Sequence, residues 1–439
     1  MANRRIRTMW SDLNGLTHGR YVPAGRIDHP THHAVTTLAM STAGEILPIA
    51  GYAADVGFAD LTATPVLDSR RPGWEPDTDV VVCELSFGHA PLPICPRAAL
   101  ARAVDGWRAL GYEPQLGFEL EFYVMAPDGE GGWRPAAGEG HRVYGVGLGG
   151  DPTGLALEYF DRAEAMELGL EGVLTEFSPG QMELNLEYGP ALESADRTVI
   201  AKEMVRELAA TRGYQATFLG RPDAGGAGSG LHINLSLSTA HAAGGPGANA
   251  LFDPADPDGL SMLARRCIAG LVDHHEAVSA LSAPLVNSYK RLMPGLIAGY
   301  WANWGLDNRI STYRIPQERA EATRIESRVP CGTASPYLAA AAMLDAARLG
   351  VLAELDCGAP QVGDADAEPN TDRHTPHSLG EALTALEADT DLVDAVGTDV
   401  TAAYVTLRRH DLARWEAAGE PWDPTTISAW ELDTYLPYY

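Results

Sequence analysis

Residues 174–188 read LTEFSPGQMELNLEY, and the last part of that stretch alternates strictly. Glu183, Asn185 and Glu187 share one face, while Leu184, Leu186 and Tyr188 take the other. Period two predicts a strand with one buried face, a pattern that no helix satisfies. The Ser178-Pro179-Gly180 turn bends the chain just before that strand and leaves Glu176 on the far side of the bend.

The same alternation recurs three times. Glu119 and Glu121 are backed by Phe118, Leu120 and Phe122; His232, Asn234 and Ser236 are backed by Leu231, Ile233 and Leu235; Arg324, Glu326 and Arg328 share a further face. Neighbours at i and i+2 stand roughly 6.5–7 Å apart, so Glu119 and Glu121 repel unless water or a cation screens them. Two readings fit. One is an antiparallel sheet with an ordinary polar outer face. The other gathers five glutamates and His232 into two oxygen-rich sites for Mg2+ or Mn2+, with arginines beside them suited to nucleotide phosphates. That arrangement would serve phosphoryl transfer, in which positioning and charge neutralisation do most of the catalysis.

Composition removes other classes. A net charge of −27 over 439 residues argues against a nucleic-acid partner. No apolar run approaches the roughly 20 residues of a membrane span, and the basic N-terminal stretch has no apolar core behind it, so the expected location is cytoplasmic. The five cysteines form no close pair, which excludes a zinc ribbon or disulfide scaffold. GGAGSG (225–230) lacks a following Lys-Ser/Thr and leads into a strand, so it is not a phosphate-cradling loop.

Along the chain, strands are expected at 44–51, 60–67 and 79–86, then a helix from Pro96 that Gly111 stops. That switch divides the chain into units 1–95 and 96–439. Further strands are expected at 115–125, 229–238 and 323–330, and helices at 196–213, 259–282 and 335–355. After a surface linker at 356–378, two helical segments follow. His32-His33 reads as loop, and His274-His275 as surface residues of one long helix.

The segments GFELEF, TEFSPGQME, GSGLHINLSL, NSYKRLMPG, DNRISTYRIP and TRIESRVPCGTASPYLAAAAML, in that order, resemble the glutamine synthetase family. The resemblance runs from DLNGLTHGRYVP near the start to WELDTYLPYY at the end. It implies an α+β fold: an N-terminal β-grasp domain over 1–95 and a C-terminal glutamine synthetase catalytic domain over 96–439, an antiparallel sheet funnel with flanking helices. It also implies a homo-oligomer built from hexameric rings, commonly a dodecamer, with active sites shared between neighbours. One metal would sit on Glu121, Glu176 and Glu183, and a second on Glu119, His232 and Glu326, with two or three Mg2+ or Mn2+ ions per site. The ATP-binding positions are Glu171, Asn234, Ser236, Arg314 and Arg324. Arg309 matches an arginine that stabilises the transferring phosphoryl group, and catalytic roles extend to Arg328 and Glu176. Arg291 and Arg328 match arginines that hold the acyl substrate, with Gly228, Glu121 and His232 beside them. The implied reaction activates the γ-carboxylate of glutamate as an acyl phosphate, which a nitrogen nucleophile then opens.

Three departures bear on the substrate. Where the family places a glutamate that takes the proton of ammonium, this chain has Ile297, and no clear partner for the family's second acid is found near Asp55 or Asp60. An isoleucine accepts no proton but suits an amine that carries carbon, since each buried methylene contributes about 0.8 kcal/mol. The expectation is a γ-glutamyl-amine ligase acting on glutamate and a small organic amine, with Ile297, Tyr300 and Trp301 near the acceptor. Asn234 replaces a histidine of the nucleotide site, and Ala227 replaces an asparagine of the glutamate site. The alternatives are ordinary glutamine synthesis with ammonia, another acyl donor, a hydrazine-type nucleophile, or a family member without catalysis.

Overall fold

The computed structural model describes residues 4–88, 90–138, 140–239 and 247–439. Its first sheet holds β1 (Arg5–Ser11), β2 (Thr17–Pro23), β3 (Thr31–Ala34), β4 (Asp60–Pro65), β5 (Arg71–Pro72), β6 (Thr78–Phe87) and β7 (Ala90–Pro91). The main order is β2-β1-β6-β4-β3. β1 and β6 run parallel in an otherwise antiparallel sheet. Val80, Val81 and Val82 of β6 are buried in succession, as a strand covered on both faces should be.

The second sheet has ten strands: β8 (Tyr112–Pro127), β9 (Trp133–Pro135), β10 (Leu170–Thr175), β11 (Gln181–Leu186), β12 (Gly189–Pro190), β13 (Gln215–Thr217), β14 (Leu231–Thr239), β15 (Trp304–Leu306), β16 (Tyr313–Ile315) and β17 (Ile325–Ser327). Its path is β10-β11-β8-β14-β17-β16-β15, with the 16-residue β8 as its spine. Register decides which polar residues meet. Glu121 lies opposite Glu183, Glu119 lies opposite both Asn185 and His232, and Asn234 lies opposite Glu326. Leu120, Leu184, Leu231, Ile233 and Ile325 are fully buried on the other side.

Behind the sheet pack α1 (Pro96–Ala109), α2 (Leu155–Ala165), α3 (Ala191–Thr211), α4 (Met262–Asp273), α5 (His275–Ser282) and α6 (Pro336–Leu352), followed by α7 (Leu379–Ala388), α8 (Thr390–Val396), α9 (Thr398–Ala417) and α10 (Ala429–Tyr435). α4 and α6 cross with their backbones nearly touching: a Cβ at Gly270 would stand 2.1 Å from the Ala346 carbonyl oxygen, so only glycine fits.

The chain has about thirty arginines but only two lysines, Lys202 and Lys290, and both are buried. Lys202 Nζ donates to the carbonyls of Gly332 (2.7 Å) and Ala334 (3.2 Å), and burial lowers its pKa to about 7. Lys290 Nζ donates to Glu431 Oε2 (2.5 Å) and the Thr426 carbonyl (2.8 Å). A compact ammonium can enter such narrow sites where a planar guanidinium cannot.

Several local expectations change. No strand forms at 44–51, where the only pairing is an isolated bridge between Met40 and Ile46. His32 and His33 belong to β3 instead of a loop. The helix expected over 259–282 is two helices, broken at His274, whose ψ of 14° leaves helical geometry. His274 and His275 are buried: His274 Nδ1 meets Asp389 at 2.7 Å, and His275 Nε2 meets Thr375 Oγ1 at 2.8 Å. Four helices, not two, follow the linker. No described helix is long and apolar enough to cross a membrane.

Candidate active site

The four polar strand faces converge. Ligand atoms of Glu119, His232 and Glu326 lie within 4.8 Å of one another. His232 Nδ1 stands 3.1 Å from Glu119 Oε2 and 3.8 Å from Glu326 Oε1, while its Nε2 stands 3.6 Å from Glu121 Oε1. Glu121 also accepts the Gly230 N–H at 2.7 Å. Glu183 follows in register beside Glu121, and Glu176 sits just beyond the end of β10, where the turn to β11 brings it back.

Electrostatics divides this cluster. Burial opposes ionisation of Glu119, yet its hydrogen bond to His232 and the Asn234 amide hold its pKa down at about 2. Glu326 is lowered too: burial is offset by the guanidiniums of Arg328 and Arg314, which donate to its two oxygens. Burial and the charges of Glu121, Glu119 and Glu176 push Glu183 up to about 9. Burial and Glu121 raise Glu176 above the usual carboxylate range. Carboxylates packed this closely, one of them held protonated for want of positive charge, with an imidazole among them, form the oxygen-rich donor set that suits a divalent cation.

Two clefts flank the acidic cluster. One, of about 320 Å³, is lined by Glu119, Glu171, Asn234, Ser236 and Arg324, bringing together four of the five predicted ATP positions. Asn185, Tyr188 and Thr323 line it as well: Asn185 from the polar strand face, and Tyr188 against the alternation that placed it on the buried face, because the strand ends at Leu186 and leaves Tyr188 exposed. Asn234 spans the junction, donating to Glu119 at 2.9 Å and accepting from Arg324 Nε at 3.2 Å. A neutral amide thus serves a carboxylate and a guanidinium at once, which a histidine in either protonation state does less evenly. The other cleft, of about 620 Å³, is lined by Asp307, Arg309 and Arg314 among others. Arg309 is exposed and has no hydrogen bond or ion pair among the described residues. Asp307 pairs with Arg314 and not with Arg309.

On the third side, Arg291 is buried and passes under the Gly228–Gly230 segment. A Cβ at Gly228 would stand 2.4 Å from Arg291 Cγ, which explains the glycine. Arg291 donates to the carbonyls of Arg328 and Val329, both at 2.9 Å. Arg328 donates through Nη2 to the Ile297 carbonyl at 3.2 Å. Ile297 is half exposed and sits at φ 52°, a conformation that β-branched residues rarely take. Strain of this kind costs about 1–3 kcal/mol and clusters at functional sites. Ala227 is held through its backbone: its N–H donates to Ser178 Oγ (2.6 Å) and its carbonyl accepts from Tyr123 (2.7 Å). Tyr300 stacks on His374 and is buried, so its role is packing. Exposed Tyr144 and Phe177, an edge-to-face pair beside Glu176, went unnoticed in the sequence because neither lies in an alternating strand.

A sheet that turns carboxylates, an imidazole and arginines toward adjoining clefts defines an enzyme site for anionic, phosphate-bearing ligands. The profile of "Glutamine synthetase, catalytic domain" matches residues 93–427, and the chain belongs to the glutamine synthetase family of ATP-dependent ligases. It is 31% identical over 392 residues to a glutamine synthetase of Thermotoga maritima, covering 86% of this chain and 85% of that one. It is 32% identical over 341 residues to a glutamate–isopropylamine ligase of a Pseudomonas species, covering 75% and 72%. A solved complex of GmaS with ADP superposes with a TM-score of 0.82 at 29% identity, covering 99% and 97% of the two chains. The fold is α+β, as expected, and the family uses ATP and divalent metal ions.

Proposed function

We propose that this ligase joins glutamate to a small organic amine, forming a γ-glutamyl amide. One observation carries the reading: the loop residue whose carbonyl accepts from Arg328, and which the family resemblance puts at the proton acceptor's position, is Ile297, an aliphatic side chain half exposed. The named activity of the Pseudomonas relative, ligation of glutamate to isopropylamine, is of the same kind.

Arg291 and Arg328 hold the carboxylates of glutamate, next to Gly228. Arg314, Arg324, Asn234, Ser236 and Glu171 hold ATP. The γ-carboxylate oxygen attacks the γ-phosphorus, the bond to ADP breaks, and Arg309, which has no ion pair among the described residues, meets the charge that spreads over the transferring group. The amine nitrogen then attacks the acyl carbon and phosphate leaves. The surplus proton of the nitrogen leaves on the departing phosphate, since a cation held by Glu176 would lower that carboxylate's pKa and make it a poor base. Glu121, Glu176 and Glu183, with Glu119, His232 and Glu326, would hold Mg2+ or Mn2+, which neutralise phosphate charge when bound. A division into units 1–95 and 96–439, and a ring-built homo-oligomer with shared sites, belong to the same reading; light scattering on the purified protein tests the assembly.

The test of function is phosphate release with glutamate, Mg-ATP and a panel of ammonium, methylamine, isopropylamine, putrescine and hydrazine, with mass spectrometry of the products. Preference for a carbon-bearing amine supports the reading. Efficient glutamine formation from ammonium refutes it. Turnover only when glutamate is replaced by another acid would place the error at Ala227.

A further inference from the structure

The loop that carries Ile297 is unusual in its own right. Gly295, Ile297 and Gly299 all have positive φ, at 81°, 52° and 79°. A conformation so bent does not hold itself, so something outside must fasten it. Its return half is strapped to the segment before α7: the Thr375 N–H donates to the Tyr300 carbonyl (2.7 Å), Thr375 Oγ1 to the Gly299 carbonyl (3.2 Å), and the Ala302 N–H to the Arg373 carbonyl (3.0 Å). Among the described residues its outgoing half is fastened from outside at two points, the Ile297 carbonyl, which accepts from Arg328 Nη2 at 3.2 Å, and Gly295. Asp366 Oδ2 accepts the Gly295 N–H at 2.8 Å, while Oδ1 accepts the Trp301 indole N–H at 3.1 Å. One carboxylate therefore ties the two ends of the loop together across Ile297. Asp364 in turn fixes Asp366 by accepting its backbone N–H at 2.9 Å.

We propose that Asp366 is a specificity-determining positioning residue. It clasps the Gly295–Trp301 loop in the shape that puts Ile297 at the acceptor side of the site. Through the Ile297 carbonyl it also steadies Arg328. The proposal rests on the reading that this loop borders the acceptor amine. An aspartate is needed because both oxygens receive N–H donors, whereas an asparagine offers one acceptor and turns a second donor toward the other.

Asp366 is only partly buried, so its variants should fold. The experiment compares full-length wild type, Asp366→Asn and Asp366→Ala. It measures KM for methylamine, isopropylamine and ammonium, KM for ATP, amine-independent phosphate release, and hydrogen exchange in peptides covering 293–301. Loss of two bonds to an ionised acceptor should raise the acceptor KM about tenfold or more in Asp366→Ala. Asp366→Asn should fall between, phosphate release without amine should rise as water replaces the amine, and KM for ATP should stay within about twofold. Exchange at Gly295 should quicken. Unchanged exchange overturns the clasp whatever the turnover. Faster exchange with unchanged acceptor KM and unchanged uncoupled release overturns its part in specificity. A wild type that prefers ammonium overturns the organic-amine reading alone, and the clasp then stands or falls on KM for ammonium in Asp366→Ala.

Discussion

Replacing Ile297 by glutamate should turn the enzyme toward ammonium. A carboxylate at this position would meet an ammonium ion by a charge-assisted hydrogen bond, a contribution of about 1.5–3 kcal/mol, or about 10- to 150-fold in kcat/KM. The half exposure of the position argues for the lower part of that range, because water screens the pair. Isopropylamine loses contact with the isoleucine methyl groups, and each methylene equivalent is worth about 0.8 kcal/mol, close to fourfold. The ratio of ammonium to isopropylamine specificity should therefore rise by about 40-fold or more. Glutamate is not β-branched, so the φ of 52° becomes easier to hold and the melting temperature should not fall. The assay is ADP release at fixed glutamate and Mg-ATP for each nucleophile, with thermal melting as the control for folding. An unchanged ratio in a folded, ATP-binding variant would refute the placement of residue 297 at the acceptor. A raised KM for glutamate instead would show the new carboxylate captured by Arg328, whose guanidinium already reaches this loop.

Three other outcomes follow from the same geometry. Because Glu183 holds its proton up to about pH 9 without metal, Mn2+ should bind more tightly as pH rises toward 9, by up to about tenfold per pH unit, with proton release seen by calorimetry in two buffers; Glu183→Gln should flatten that slope. Glu431→Ala leaves Lys290 charged and buried without its partner, which should cost about 3–5 kcal/mol in urea unfolding, and Lys290→Met in the same chain should recover part of it. His275 is buried and neutral, with its pKa lowered by burial to about 4, so the unfolded chain binds an extra proton between pH 6.5 and 4; stability should be full above pH 6.5 and fall by up to about 3 kcal/mol as pH drops through that window, a limb that His275→Asn should lose.

How much of this was legible in the sequence depends on the range of the interactions. The four alternating strands were readable because period two is a local property, and their register then brought Glu119, Glu121, Glu183, His232 and Glu326 together. The buried His274–His275 pair was not readable, because what buries it is α7, the Asp389 that follows it and the segment carrying Thr375, a hundred residues away. The helix break at His274 has the same origin, since no glycine or proline marks it. Asp366 sits in a stretch rich in Asp, Pro and Gly that reads only as linker, and its use depends on a backbone amide 71 residues earlier. Ile297 was readable only as a departure from a family pattern; its strained φ belongs to the fold.

The two buried lysines also make the protein its own chemical clock. An acylating reagent that hunts ε-amines finds none exposed on the native chain, so lysine modification can proceed only as fast as the structure opens. The two positions report different doors: Lys290 is uncovered when α10 lifts away with Glu431, and Lys202 when the segment around Gly332 and Ala334 leaves its ammonium. The lowered pKa of Lys202 belongs to the closed state, since burial is its main cause; once opened, the amine regains its ordinary basicity, and the rate of its modification reports the opening itself. Peptide mapping of a timed acetylation would thus separate the breathing of the C-terminal end from that of the loop between β17 and α6, with no label introduced.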